Sequence, residues 1–434
     1  MVSKSLRCRA MAVALVGSTL LAACGSGDDS STDRGDDTPD GVEVVKADLV
    51  RSGAPADAPV DQLVAGMRAF AVELAAADDG AENLVMSPAS IAAAFAMAEA
   101  GAGSATAADI AEVFGFPTQP EVHEAMNALT AKVEEANHPG NGDDSKGVTV
   151  DLANAVWGQR DRDYGKRFLD TLAREYGLGV NTVDFAEDPE AARRAINAWV
   201  ADITHDRIKE LLAKGTVDPS TVVALVNAIY LKAAWTTQFD KDATRDEPFK
   251  LGSGSTVNVP TMHDGMMNAD AVVGDGYRAA KLTYDGDELS MVLVLPDEGT
   301  SLRDFEAGMT GDELGSIVEG LQPAEIDISL PRFEATSALD LAEPLRSLGL
   351  EIPGGDLSGI TADAVLGQAV HAANITVDEE GTEAAAATAV IGVTSAPPAQ
   401  EIIPFKVDRS FLFLIQHEET GAPLFYGRIT DPRG

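Results

Sequence analysis

Helical segments gather in the first half of this chain and strand-forming segments in the second, an order that excludes a fold in which strands and helices alternate. In "VDQLVAGMRAFAVEL", Val60, Leu63, Val64, Met67, Phe70, Ala71 and Leu74 share one stripe at spacings of three and four, the pattern of an amphipathic helix. In "NLVMSPASIAAAFAMAEAGAG", Ser87 is placed as N-cap and Pro88 as first helical residue, after a short strand. The helix that follows is small and apolar all round, which predicts burial. "RFLDTLAREYG" and "PEAARRAINAWVADITHDRIKELL" also carry helical period with charged outer faces. From Thr221 onward strand signals dominate. "TVVALVNAIYL", "LSMVLVLP", "AEIDISLPRF" and the pair "FLFLIQH" and "PLFYGRI" across "EETG" are rich in β-branched and aromatic residues. The class is α+β, without internal repeats.

The chain's 434 residues, 45% of them hydrophobic, can bury a large core in one domain or two. Its beginning reads as a leader. Lys4, Arg7 and Arg9 precede an apolar run from Ala10 to Leu21, too short to span a bilayer and suited to a secretory signal. The run closes on "LAAC", Leu21 to Cys24, which resembles the lipobox of bacterial lipoproteins; the resemblance implies cleavage after residue 23 and acylation of Cys24. Cys8 would leave with the signal, so the mature chain holds no pair for a disulfide. Residues 24–59, rich in Asp, Gly, Ser and Pro, are expected to form a disordered tether, and 60–434 the folded domain. The expected location is extracytoplasmic, either anchored to the cell membrane or secreted. The formal net charge of −38, with no clustered basic face, argues against nucleic acid as a partner.

The residues of familiar catalysts are missing from the sequence in any recognisable spacing. There is no GxSxG, no HExxH, no CxxC pair and no glycine-rich phosphate loop after a strand. His123, His138, His205, His263, His371 and His417 are scattered without ligand spacing, so neither a metal nor a cofactor is expected.

One stretch resists that plain account. "DEEGTEAAAATAV", Asp378 to Val390, follows the strand pattern "AVHAANITV" and precedes "IGVTSAPPAQ". By propensity it is a short helix capped by Thr382. In strand geometry, Thr382, Ala384, Ala386, Thr388 and Val390 instead share one small, uncharged face. A segment that must slip between two strands needs small side chains of that kind.

Together with three longer segments and three short matches, this stretch resembles the serpin family of protease inhibitors. They are "NLVMSPASIAAAFAMAEAGAGSATAADIAEVFGF", "LVNAIYLKAAWTTQFD", the short matches "VPTM", "MVLVLP" and "LPRF" in order, and "FLFLIQHEETGAPLFYGRITDP". Ser410 stands where the family most often has proline. The resemblance implies a serpin fold, with a large mixed central sheet, further sheets, about eight or nine helices and an exposed reactive loop. It implies a hinge of Glu379, Glu380, Gly381 and Thr382 followed by Ala384, Ala385, Ala386 and Ala387. It also implies a sheet-opening cluster of Ser87, Ser90, Asn227 and His371 beneath the sheet centre, with Trp235 at the top. Such a protein is bait and not an enzyme. It would trap a serine protease, elastase-like or subtilisin-like, at Ser395–Ala396, or at Thr394, and act as a monomer. The rival expectations are a non-inhibitory serpin serving as a carrier and an acidic surface scaffold.

Overall fold

A computed structural model describes residues 41–78, 82–139, 147–367, 369–382 and 402–434. Seven strands make the main sheet, in the order β1 (Glu43–Val45), β4 (Val180–Val183), β3 (Val148–Gln159), β5 (Val223–Ala234), β15 (Gly381–Thr382), β14 (Ala369–Val377) and β11 (Phe333–Asp340). A nine-stranded sheet holds β16 (Ile403–Lys406), β10 (Gln322–Pro331), β7 (Thr256–Val273), β8 (Tyr277–Thr283), β9 (Leu289–Pro296), β17 (Phe411–His417), β18 (Pro423–Ile429) and β2 (Leu84–Met86), with β6 (Arg245–Lys250) paired to β7. A small ladder joins β12 (Gly354–Asp356) to β13 (Val365–Leu366). The helices are α1 (Val60–Ala77), α2 (Pro88–Glu99), α3 (Ser104–Phe114), α4 (Glu121–Glu135), α5 (Lys166–Thr171), α6 (Pro189–Ile203), α7 (Leu302–Ala307), α8 (Gly311–Glu319) and α9 (Ala342–Ser347).

Alternation along β5 sets the two layers on either side of the main sheet. Leu225, Ile229 and Leu231 point into the principal core, while Val226 and Ala228 face the smaller core made with Ala192, Ile196 and Val200 of α6. Every side chain of α2 is buried, and the helix packs against β3, β5 and β18, so it fills the space between the two large sheets. That is the outcome its all-round small, apolar composition predicts.

Two expectations change. The chain is ordered before residue 60. β1 pairs antiparallel with β4, and Arg51 donates to Asn127 Oδ1 at 2.8 Å and to Thr130 Oγ1 at 2.5 Å. A polar, proline-containing stretch does not fold by itself, but the open edge of β4 supplies backbone partners that its composition cannot reveal. The expected tether is therefore docked from Gly41 onward. The second change concerns "PEAARRAINAWVADITHDRIKELL", whose helix stops at Ile203. His205 and Asp206 take left-handed backbone angles, φ 48° and 64°, and the side-chain amide of Asn197 binds both the N–H and the C=O of Leu212. The later apolar residues still bury, but on a chain that has doubled back.

Candidate functional site: the hinge and the parted strands

β5 and β14 run parallel and are zipped at only one end. Their ladder covers Leu225 to Asn227 against Ala369 to His371. At the other end β15 lies between them, with Thr382 opposite Ala233 on one side and Val377 on the other, antiparallel to both. Between these ends, the facing edges Ala228–Lys232 and Ala372–Thr376 have no ladder partner among the described residues.

The last zipped rung carries the polar cluster. His371 is fully buried; its Nδ1 lies 2.5 Å from Asn227 Oδ1, and its Nε2 accepts from the Ser87 N–H at 2.9 Å. A backbone N–H can only donate, so Nε2 must be unprotonated and Nδ1 carries the hydrogen shared with Asn227. Burial agrees with this: it pulls the imidazole down to about 3. Ser87 also caps α2, its Oγ accepting from the Ser90 N–H at 3.2 Å. Ser87 thus both caps α2 and joins the polar cluster at the last zipped rung. Ser90 is buried beside it, and its Oγ has no partner among the described groups.

The hinge is a tight turn from Asp378 to Gly381, closed by the Asp378 N–H donating to Gly381 O at 3.0 Å. Its backbone is fastened to the end of β5. Trp235 N–H donates to Glu380 O at 2.9 Å, Phe239 N–H to Glu379 O at 3.0 Å, and the Trp235 indole to Asp378 O at 2.9 Å. Both glutamates are nearly buried and each meets a cation. Glu379 Oε1 receives Arg332 Nη2 at 2.7 Å and Nε at 2.8 Å as well as Thr244 Oγ1, while Glu380 pairs with Lys241. Burial pushes the Glu379 carboxyl up, but the bonds from Arg332 and Thr244 outweigh it and hold the group below its ordinary value. Asp378 moves the other way, raised by burial and by its two acidic neighbours against the N–H of Glu380.

Gly381 is irreplaceable in this conformation. Its φ is +148°, and a Cβ would stand 2.1 Å from Ala233 O. Thr382 follows, 1% exposed, its Oγ1 2.8 Å from the hydroxyl of Tyr284. That ring stacks on Trp235 with centroids 4.5 Å apart and planes at 10°. Thr382 is thus a strand residue, not the helix cap of the propensity reading. A β-branched residue with a satisfied hydroxyl suits the narrow gap.

The structure brings Glu379, Glu380, Gly381, Thr382 and Trp235 together at one end of the parted strands, and Ser87, Ser90, Asn227 and His371 at the other. Ala384, Ala385, Ala386, Ala387, Thr394, Ser395, Ala396 and Cys24 lie outside the described residues. Sequence reasoning missed Arg332, Lys241, Thr244 and Tyr284. The first two had a signal, since two adjacent acids at a buried hinge require cations. Among the described residues, no cluster of His, Cys, Asp or Glu could hold a metal ion.

A sheet whose inner strands part around a glycine-threonine hinge, above a buried Ser–His–Asn tie, defines a serpin. The family model for serpins (serine protease inhibitors) matches residues 65–432, and the chain belongs to that family. Among curated relatives, the leukocyte elastase inhibitor of Bos taurus is 36% identical over 388 residues, covering 86% of this chain and all of that protein. Its Homo sapiens counterpart is also 36% identical, with the same coverage. A crystal structure of the thermophilic serpin tengpin in its native state overlays with a TM-score of 0.77 at 24% identity, covering 89% of this chain and 97% of that one, a likeness of fold.

His371 makes stability depend on acid. The unfolded imidazole titrates near its ordinary value and the folded one at about 3, so stability is full above about pH 6.5 and drains as pH falls below it. Glu99 and Glu306, each raised to about 7 mainly by burial, act in the opposite sense between about pH 4.5 and 7. His371→Gln keeps one donor and one acceptor and leaves both glutamates unchanged. Between about pH 7.5 and pH 4.5 the wild type should lose about 3 kcal/mol more unfolding free energy than this variant. Urea melts of both proteins at the two pH values measure it, and parallel losses would show that His371 is charged in the fold.

Proposed function

We propose that this chain inhibits a serine protease by being cut and then trapping the enzyme as an acyl ester. The protease serine attacks the scissile carbonyl, the amine of the following residue leaves with a proton, and an ester joins the enzyme to the hinge side of the loop. The freed segment then enters the main sheet between β5 and β14, as serpin loops do, before water cleaves the ester. The observation that carries this reading is β15: Thr382 already pairs with both inner strands and Gly381 with β5, so insertion extends a ladder that has begun.

Counting the family's usual spacing from Glu379 places the cut at Ser395–Ala396, with Thr394 as the alternative. A small residue there suits an elastase-like or subtilisin-like pocket, and the names of the mammalian relatives support the elastase-like choice. A monomer is sufficient for this mechanism.

The reading extends to location. Residues 1–23 serve as a lipoprotein signal, Cys24 carries the lipid, and residues 24–40 link it to the docked segment, so the inhibitor works outside the cytoplasm, held at the cell membrane. The support is "LAAC" behind a basic and apolar leader. Among the described residues, no helix is long and apolar enough to cross a membrane.

Thr382→Arg tests the trap. A guanidinium cannot occupy the place that Thr382 already fills beside Tyr284 and Ala233 without losing several kcal/mol of hydration, so the ladder that insertion extends loses its start, insertion slows and hydrolysis of the ester wins. Incubated with an elastase-like protease, the wild type should give a covalent complex that survives a denaturing gel. The variant should give only the cut chain, and undiminished complex from it would rule out insertion. Cys24→Ser tests the anchor separately. It should move the protein from the membrane to the soluble fraction with inhibition unchanged, whereas a soluble, unacylated wild type would remove the lipid reading.

A further inference from the structure

The sheet registers fix where the chain enters the folded domain relative to the hinge. β3 is antiparallel to β5, with Val148 opposite Ala233 and Gly158 opposite Val223. The hinge therefore belongs to the Val148 end, since Thr382 also pairs with Ala233. β4 is parallel to β3 and its Thr182 stands opposite Gly158; β1 is antiparallel to β4 and its Glu43 stands opposite Thr182. Glu43, Thr182, Gly158 and Val223 thus form one row across the sheet, and Val148, Ala233 and Thr382 another. At about 3.3 Å per residue along β5, from Val223 to Ala233, the rows are about 33 Å apart.

The polarity of β1 settles the rest. It runs from the remote row toward the hinge, so the residues before Glu43 point away from the hinge. Gly41 confirms the direction, its carbonyl accepting from Arg160, the residue after the last of β3. The segment is fastened along its length. Thr182 Oγ1 donates to Glu43 O at 3.0 Å, Lys46 Nζ to Gly177 O at 2.7 Å and Ser52 N–H to Arg174 O at 2.7 Å. Beyond Arg51, Asn127 Nδ2 returns a bond to Ser52 O at 3.0 Å. All of it precedes residue 65, where the family match begins.

We propose that this N-terminal strap sets the orientation of the anchored molecule: the chain leaves for its anchor from the pole opposite the hinge, and the hinge pole faces away from the membrane toward proteases in the surrounding medium. The inference rests on the reading of Cys24 as a lipid anchor. Sixteen residues, 25–40, separate Cys24 from the first docked residue, and a flexible coil of that length would average about 20–24 Å end to end. A protease of about 250 residues, with a radius of gyration of about 18 Å, is about 45 Å across. It could not reach a loop held at the tethered pole without meeting the membrane, whereas the opposite pole is open to it.

The test uses vesicles and a single fluorophore. Cys24 is replaced by Ser and a hexahistidine tag at that position holds the chain on nickel-chelating vesicles that also contain a headgroup quencher. The label sits at Ser220→Cys, exposed just before β5 at the remote pole, or at Thr237→Cys, exposed just after β5 at the hinge pole. Quenching at position 220 should exceed that at 237 several-fold. The difference should collapse when the strap is undone by replacing Glu43, Val44 and Val45 with glycine together with Arg51→Ala. Equal or reversed quenching with the strap intact would overturn the orientation. Failure of the anchor reading appears elsewhere: mass analysis of the natural chain produced with its leader would find Cys24 unacylated, which overturns the membrane setting whatever the tagged vesicles report.

Discussion

Two parallel strands far apart in the chain that meet in the main sheet but pair over only three rungs are the constraint on which this molecule depends. β5 and β14 meet from Leu225 to Asn227 and Ala369 to His371, then diverge to admit Gly381 and Thr382. Among the described residues the intervening edges have no ladder partner, and a backbone group without a partner is costly wherever water is excluded. Among the described residues, the sheet therefore has room for one more strand between β5 and β14. The buried Ser87–His371–Asn227 tie closes one end, and the hinge occupies the other.

The hinge itself shows why two adjacent acids are compatible with burial. Glu379 and Glu380 would repel each other and resist desolvation, yet each is met by a cation on a different element: Arg332 between β10 and β11, and Lys241 after β5. Removing either cation would take away the charged partner of a buried carboxylate, a larger loss than breaking an exposed pair. The turn is also held by backbone donors from Trp235 and Phe239, so its position does not rely on charge alone. This fixed starting point decides which strands the following segment can join.

Much of this was legible in the residues. Strand patterns predicted β9, β17 and β18 almost to the residue, and Thr382, read in strand geometry, does pair between the two inner strands, while the small-residue positions after it lie outside the described residues. Asn227, an amide inside an apolar run, announced a buried partner, and that partner is His371. What remained hidden depended on distant chain. A three-residue strand such as β1 has no periodicity of its own and exists because β4 offers an edge. Tyr284 lies in an unremarkable turn between β8 and β9, and nothing local shows that its hydroxyl will meet Thr382 from 98 positions away. The end of α6 was missed for a similar reason, since Asn197 reaches forward to the peptide of Leu212 and draws the chain away from helical geometry.

The chain has three tryptophans, and their placement gives the molecule its own optical readout. Trp235 is stacked on Tyr284 beside the hinge. Trp157 of β3 and Trp199 of α6 meet edge to face at 6.0 Å, where that helix lies over the sheet. Indole emission shifts with local polarity and with the rings packed against it. A change in hinge seating and a shift of α6 over the sheet would each register in the natural fluorescence of the unlabelled protein, through different residues.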